Sequence, residues 1–353
     1  GCMLERTLKN LGEKHIEDLV NLPVMHDPNK LAAMNILSEV TSSVFIGLPH
    51  MFLPLICKQV DLSISYGNTA ESAFSYATFG AILCRITNDI EKGYQFGKLA
   101  IALMKKMGAP EMEAKVYHVV STYINHLKEP IDRTLELSMT GYQSAMETGD
   151  FEFGGYNMYT YNKHSLLSGR GLKTTQKEMS DFGAVIKRMK QETAYHFNEI
   201  YHQAAMNLMG KSSDPTLLSG DAYDEHEMLP IHRQANDHLA IIYYGFCKLM
   251  LCTLFGRNAQ ALEYSDLVEK ESISLPGTPM AYSLYHYFDS LARLSEWGDC
   301  DEMKRDAHMK RVMENQEKLK FWADHAPSNY LQKYHLVEAE ICRALGRHDE
   351  AII

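Results

Sequence analysis

Histidine and acidic side chains are the first candidates for chemistry, since the chain holds 16 histidines among 353 residues. The densest set of metal ligands is segment 224–227, Asp-Glu-His-Glu, followed by His232, Asp237 and His238. His232 and His238 are six residues apart, which directs them to different faces of a helix. The sequence contains neither an HExxH nor a CxxC motif. We predict an exposed acidic loop here, and we expect no metal and no cofactor.

A short phosphate-binding signature is the second candidate. Gly210, Lys211 and Ser212 resemble the end of a P-loop, but Ala205 stands where that motif has its first glycine. The triplet also ends a predicted helix, whereas a P-loop joins a strand to a helix. The HRD…N and DFG pair of a protein kinase is missing as well. These patterns favour a chain without phosphotransfer activity, so we predict no catalytic residues.

Tyrosine and asparagine form the most informative polar pattern. They crowd segment 156–162, and further tyrosines occur at 243–244 and within 282–287. Both residue types suit a surface that is apolar and also forms hydrogen bonds, although packing between helices is the alternative explanation. We predict a ligand-binding or partner-binding patch formed by Asn125, His126, Lys128, Tyr156, Tyr159, Asn162, Tyr243 and Tyr244.

Charge and hydrophobicity exclude two classes of partner. The net charge of −10 argues against nucleic-acid binding, which needs a positive surface to displace counterions from phosphates. The most apolar stretch, 241–255, is shorter than the roughly 18 residues that span a bilayer, and it carries Lys248. We therefore expect neither nucleic acid nor membrane as a partner.

The seven cysteines indicate a reducing compartment. Their number is odd, no two have CxxC spacing, and most lie among apolar neighbours. Such cysteines are typical of small buried hydrophobic residues in proteins that are not exposed to oxidation. We predict a cytoplasmic location.

A repeat of 41 residues organises the first half of the chain. Gly67, Gly108 and Gly149 each follow a predicted helix and are spaced 41 residues apart. A glycine in this position ends a helix because it adopts the left-handed conformation without strain. Six residues after each glycine lies a small residue that would allow close helix approach: Ala73, Ala114 and Gly155. An aromatic residue that would fill the adjoining groove follows: Tyr76, Tyr117 and Tyr159.

A second series of glycines occurs near the end, at Gly256, Gly298 and Gly346, with spacings of 42 and 48 residues. Segments 255–262 and 345–352 share a turn that is typical of tetratricopeptide repeats. One helical hairpin per period of about 40 residues is the signature of an α-solenoid. The predicted fold is therefore all-α, a right-handed superhelix of antiparallel, tetratricopeptide-like helix pairs.

Periodicity and helix-breaking residues give the predicted elements and domains. Residues 1–210 form an N-terminal tetratricopeptide-like array, 211–229 a loop rich in Ser, Gly and Asp, and 230–353 C-terminal repeats truncated at the end. Predicted helices cover 4–20, 29–46, 49–66, 70–87, 90–107, 111–127, 131–147, 152–168, 173–190, 193–210, 230–255, 258–270, 279–296, 300–324 and 328–345.

Four segments resemble the helical region of very large bacterial and fungal signalling proteins: 66–77, 93–100, 124–130 and 147–156. In that family a serine/threonine-kinase-like domain and an AAA/STAND-type ATPase precede the helical region, and a GAF domain and a sensor histidine kinase usually follow it. The resemblance covers most of the chain from Leu22 onward. Leu127 departs from it, because tryptophan is expected there.

The resemblance implies a non-catalytic regulatory and protein-interaction module of a larger signalling ATPase or kinase. Such a module would bind a protein partner, a ligand or neighbouring domains of the same polypeptide. The first alternative is a small-molecule sensor with a tyrosine-lined pocket inside the superhelix, which the 20 tyrosines favour. A hydrolase or metal enzyme on a helical scaffold is the second.

Overall fold

Helices account for the regular structure of this protein. The computed structural model describes residues 2–272 and 279–352. Within these ranges there are seventeen α-helices, five short 3₁₀ segments and no strand, only two isolated β-bridges. None of the described helices has both the length and the apolar character needed to cross a membrane. The all-α prediction is confirmed for this part of the chain.

The first compact unit contains residues 2–128 and 132–161. Its core includes the aromatic side chains of Tyr76, Phe79 and Phe96, of which the latter two meet edge to face at 5.1 Å. Its helices are α1 (Cys2–Leu11), α2 (Pro28–Glu39), α3 (Thr41–Gly47), α4 (Pro49–Tyr66), α5 (Ala70–Ile86), α6 (Ile90–Met107), α7 (Glu113–Tyr123), nearly all of α8 (Ile131–Thr148), and α9 (Phe151–Leu167) up to residue 161.

The second compact unit contains residues 129–131, 162–272 and 279–352. Successive helices pack as neighbours, with α10 against α11, α13 against α14 and α16 against α17. The helices after α9 are α10 (Leu172–Arg188), α11 (Glu192–Leu208), α12 (Glu225–Gln234), α13 (His238–Leu254), α14 (Asn258–Ser272), α15 (Met280–Ser295), α16 (Glu302–His325) and α17 (Pro327–Ala344).

The glycines of the repeat end helices as expected. Gly67, Gly108 and Gly149 all have positive φ, at 100°, 61° and 81°. Gly67 also permits a close approach, because a Cβ atom there would lie 2.2 Å from the carbonyl oxygen of Pro23. In the second series Gly256 and Gly346 have positive φ, whereas Gly298 lies in a 3₁₀ segment, Trp297–Asp299.

The small and aromatic residues of the repeat occupy the interior. Ala73, Ala114, Tyr76, Tyr117 and Tyr159 are all at most 5% exposed. Gly155 is buried too. These positions therefore pack between helices, which is the role that their spacing predicted.

Two predicted helices end earlier than their apolar pattern suggests. The prediction of 4–20 is wrong beyond Leu11, because Gly12 takes a φ of +61° and a separate 3₁₀ segment, Ile16–Asn21, follows. The prediction of 29–46 is split near Val40 into α2 and α3. Residues 12–15 separate α1 from the 3₁₀ segment, whereas the break at Val40 is a single residue between two helices.

The predicted helix 230–255 consists of two helices, and the predicted loop 211–229 is shorter. Asp224 caps α12 by accepting a hydrogen bond from the backbone N–H of His226 at 2.8 Å, so the helix begins inside the predicted loop. Asn236, with φ of +52°, ends it. Asp237 then caps α13 through the N–H of Ala240 at 3.0 Å.

Candidate ligand-binding cleft

The predicted patch residues at the end of α7 are mostly buried. Asn125 and His126 belong to a 3₁₀ segment, Asn125–Leu127, and are 6% and 0% exposed. Lys128 follows them, and its ammonium lies 2.7 Å from the carboxylate of Glu91. The Lys128 side chain is about one quarter exposed, so among these three residues it alone reaches solvent.

Tyr156 and Tyr159 belong to an aromatic cluster in the first unit. Their ring centroids lie 5.4 and 6.1 Å from that of His118, and Phe153 joins the same cluster at 5.8 Å from His118. Tyr159 is 2% exposed and Tyr156 is half-buried. Burial raises the pKa of the nearby Tyr123 well above its usual range, and the two neighbouring phenols raise it further. The arrangement is that of a packed aromatic core.

Asn162, Tyr243 and Tyr244 belong to the second unit and are each at most 3% exposed. The Asn162 amide donates to Asn198 Oδ1 at 2.7 Å. The ring of Tyr243 packs against aromatic neighbours and lies 5.1 Å below the ammonium of Lys163. The Tyr244 hydroxyl donates to Glu225 Oε1 at 3.4 Å.

A cleft of about 430 Å³ opens in the second unit between α10, α11 and the segment that follows α11. Its lining combines polar and charged side chains with apolar ones. The residues are Gln176, Ser180, Gly183, Ala184, Lys187, Tyr195, Glu199, His202, Met206, Lys211, Asp221 and Ala222. None of the eight patch residues is among them. Asn162 is linked to the cleft indirectly, because its partner Asn198 donates to Glu199 Oε1 at 2.8 Å.

Four cleft residues form a continuous hydrogen-bonded relay. The Lys211 ammonium donates to Gln176 Oε1 at 3.3 Å, and Gln176 Nε2 lies 3.0 Å from His202 Nε2. The other ring nitrogen, Nδ1, lies 3.3 Å from Glu199 Oε2. Glu199 and His202 are each 7% exposed. The relay joins an exposed lysine at the rim to a buried carboxylate at the floor.

Buried amides hold the segment 209–224 against α11, and so form one wall of the cleft. Gln203 Oε1 accepts hydrogen bonds from the backbone N–H groups of Ala222 and Tyr223 at 3.2 and 3.4 Å. The Asn207 amide donates to the carbonyls of Pro215 and Leu217 at 3.1 and 2.7 Å. Because backbone groups of the loop are satisfied by side chains of α11, the wall is an ordered structure.

A buried ion pair fixes the far end of this wall. The Lys248 ammonium lies 3.1 and 2.9 Å from the two carboxylate oxygens of Glu225, and the residues are 4% and 9% exposed. Glu225 Oε2 also accepts the backbone N–H of Leu218 at 2.8 Å. Glu225, the first residue of α12, thereby binds both the segment that precedes it and Lys248 of α13.

The histidine and acidic residues of segment 224–238, the candidate metal ligands, take part in separate interactions. His232 Nδ1 faces Asp237 at 3.5 Å, whereas His238 Nδ1 faces Glu271 at 2.6 Å. Over residues 2–272 and 279–352, no group of three or more His, Cys, Asp or Glu side chains is placed to hold a metal ion. Asp224 serves as a helix cap. The P-loop-like triplet follows α11, and Lys211 belongs to the relay.

Comparison with protein-family models, with curated proteins and with solved structures finds no match to this chain. The cleft must therefore be understood from its own geometry. Glu199 and His202 are spaced i, i+3 on α11, which places them on one helix face. This spacing of Glu199 and His202 can be recognised in the sequence, whereas the tyrosine pattern points to other residues. The contacts of Gln176 and Lys211, 35 residues apart, had no local signal.

Proposed function

We propose that this chain is a non-catalytic regulatory and interaction module of a larger signalling ATPase or kinase. In this role it binds a ligand or a partner and relays that event to neighbouring domains of the same polypeptide. The observation that carries the proposal is the polar cleft, whose three walls are two paired helices and an anchored loop. The resemblance of four sequence segments to signalling proteins supports the same role.

The finer architecture belongs to the same proposal. Sequence-adjacent helices pack as pairs within each unit, and the glycine series has a period near 40 residues. Both features are typical of a right-handed, tetratricopeptide-like superhelix. In such arrays each repeat contacts mainly its neighbours, so a small rotation at one hairpin accumulates along the chain. We place this module in the cytoplasm because most of its cysteines are buried free thiols.

The relay gives the cleft a means to couple binding to shape. A ligand that contacts Lys211 and Gln176 touches both the loop and α10, and His202 connects them to α11. Binding therefore favours whichever arrangement of these three elements gives the better contacts. The free energy of binding is in this way available to shift α10 relative to α11.

Purified protein is expected to show no ATP hydrolysis and no autophosphorylation. The sequence lacks the HRD motif of a kinase and the first glycine of a P-loop, so we expect no phosphotransfer site. Phosphate release and incorporation of γ-labelled phosphate should equal those of a buffer blank. Turnover that co-purifies with the chain through two chromatographic steps, and that survives in a second preparation, would contradict the proposal.

A small-molecule sensor is the second candidate, and the volume of the cleft favours it. Ligand pockets for small molecules measure roughly 300–1,000 Å³, and this cleft has about 430 Å³. Tyr195 is the one tyrosine among its lining residues. The sensor function is thus proposed for the α10–α11 cleft, with polar contacts in place of the tyrosine-lined pocket predicted from sequence.

Filling the cleft is expected to abolish ligand binding. Ala184 is exposed and lines the cleft, so Ala184→Trp should occupy it without disturbing the core. Thr174→Trp, at an exposed position of α10 outside the lining, is the matched control. We expect compounds from a panel of nucleotides, sugars, organic acids, amino acids and polyamines to raise the melting temperature of wild type and Thr174→Trp, but not of Ala184→Trp. If no compound of the panel raises the melting temperature of wild type, the sensor function is contradicted.

A further inference from the structure

Glu199 is a buried carboxylate at the floor of the cleft. Its side chain is 9% exposed, and its oxygens accept hydrogen bonds from the Asn198 amide and from His202 Nδ1. His202 is the one basic side chain in the described part of the chain that pairs with it. An ionised carboxylate has about four acceptor positions, so two remain open. A buried carboxylate gains most from a cationic partner.

The relay gives the direction of the hydrogen bond between His202 and Glu199. Lysine can only donate, so the Gln176 oxygen faces Lys211 and the Gln176 nitrogen faces the imidazole. An amide nitrogen also only donates, which makes His202 Nε2 the acceptor. The ring proton is therefore on Nδ1, where it is donated to Glu199. Within the described residues, no lysine or arginine forms an ion pair with Glu199.

Gly183 lets the Glu199 carboxylate pack closely against the backbone of α10 at the floor of the cleft. Gly183 and Glu199 both belong to the lining. A Cβ atom on residue 183 would lie 2.5 Å from Glu199 Oε1, well inside contact distance. Any side chain on α10 at this position would displace the carboxylate or cover it. The absence of a side chain at Gly183 thus lets the carboxylate keep its place among the residues that line the cleft.

The rim carries charges of both signs. Lys211 and Lys187 are exposed, and the Lys187 ammonium lies 5.2 Å from the ring centroid of Tyr195. Asp221 is exposed on the loop. A simple cation would be repelled by the two lysines, and a simple anion would be repelled by Glu199. A molecule that carries both charges satisfies both parts of the cleft.

We propose that the cleft binds a small zwitterion of the α-amino-acid class. Its ammonium group lies on Glu199, and its carboxylate lies toward Lys211. The inference rests on the proposed ligand-binding function of the cleft and specifies the chemistry of the ligand. Charge-assisted hydrogen bonds at both ends make recognition depend on the presence of both groups.

The test uses the twenty common L-amino acids, each added singly to the full chain, with affinity measured by calorimetry. We expect at least one to bind wild type and Lys177→Met, an exposed-lysine control outside the cleft. Glu199→Gln and Lys211→Met should each weaken binding about tenfold or more, which corresponds to loss of one charged contact. The N-acetyl derivative and the amide of the same amino acid, each lacking one charge, should lose binding to a similar extent.

The outcomes separate this inference from the broader proposal. One outcome is that nucleotides, sugars or organic acids bind, that Ala184→Trp blocks this binding, and that no amino acid binds. This result would overturn the proposal of a zwitterionic ligand and leave the sensor function in place. Amino-acid binding that neither Glu199→Gln nor Lys211→Met weakens would also overturn it. If Glu199→Gln fails to fold, Lys211→Met and the two derivatives decide, because Lys211 lies at the exposed rim.

Discussion

Replacing Glu225 by glutamine is expected to lower the free energy of unfolding by about 3–5 kcal/mol. Glutamine keeps the size of the side chain but removes its charge. Lys248, which is 4% exposed, would then hold an ammonium group in the interior without a counter-charge. The Lys248 ammonium also lies 5.1 Å from the ring of Tyr264, but a cation–π contact is worth only about 0.5–2 kcal/mol.

A double variant distinguishes the buried charge from a general loss of packing. In Glu225→Gln/Lys248→Met neither charge remains, so we expect this protein to be more stable than Glu225→Gln alone. Urea unfolding of wild type, both single variants and the double variant gives the interaction energy. Asp324→Asn is the control, because Asp324 and Lys320 form an ion pair about 60% exposed and should contribute less than about 1 kcal/mol.

The same substitution should loosen the wall of the cleft. Glu225 Oε2 accepts the backbone N–H of Leu218, and a neutral amide is a weaker acceptor than a carboxylate. Limited proteolysis should therefore cut Glu225→Gln faster within 209–224 than it cuts Asp324→Asn. A stability of Glu225→Gln within about 1 kcal/mol of wild type, or unchanged cleavage, would show that the ion pair does not secure this segment.

Helix ends marked by capping residues were predictable from sequence. The predicted bounds of α4 and α6, 49–66 and 90–107, match the structure to the residue. Gly67 and Gly108 end these two helices, and the side chain of Asp89 caps the start of α6 by accepting from the N–H of Lys92. Local signals of this kind depend only on residues within one turn.

The break between α12 and α13 was not predictable in the same way. Asn236 adopts a left-handed conformation within a mainly polar segment, 232–238, which the apolar residues Ile231 and Leu239 flank. Asparagine tolerates this conformation but does not require it, so its presence is a weak signal. The cost is offset by Asp237, which caps the next helix, and that interaction becomes visible only once the backbone has turned.

The predicted patch is based on side-chain type, and the structure buries most of its residues in the protein interior. Tyr159, Tyr243 and Tyr244 are each at most 3% exposed, because tyrosine fills space between helices as readily as it lines a binding surface. The cleft depends on contacts across the α10–α11 pair, such as Gln176 with His202 and Lys211. Sequence could indicate the Glu199–His202 pair but not what faces it.

Replacing Lys163 by methionine is expected to stabilise the protein at neutral pH. Lys163 is fully buried in α9, and burial lowers the pKa of its ammonium to about 7. An unfolded lysine has a pKa near 10.4. At pH 7 the unfolded chain carries a protonated Lys163, and burying or deprotonating this amine on folding costs free energy. Methionine has a similar length and does not carry this cost. The gain in free energy of unfolding should be on the order of a few kcal/mol.

The pH dependence of this gain identifies its cause. Between pH 7 and about 10 the unfolded chain binds up to one more proton at Lys163 than the folded chain, so wild-type stability rises with pH in this window. The advantage of Lys163→Met should therefore shrink by up to about 1.4 kcal/mol per pH unit. Burial raises the pKa of Cys252 to about 11, which acts in the opposite direction above about pH 8.5 in both proteins and cancels in the difference.

Urea unfolding of wild type and Lys163→Met at pH 7, 8 and 9 measures the difference directly. Lys177→Met, at an exposed position on α10, should change stability by less than about 0.5 kcal/mol at each pH. A destabilised Lys163→Met, with the ring of Tyr243 losing a favourable cation 5.1 Å away, would mean that the amine stays charged and contributes to packing. A gain that does not vary with pH would instead assign the effect to hydrophobic burial of methionine, because only a titrating amine makes stability depend on proton uptake.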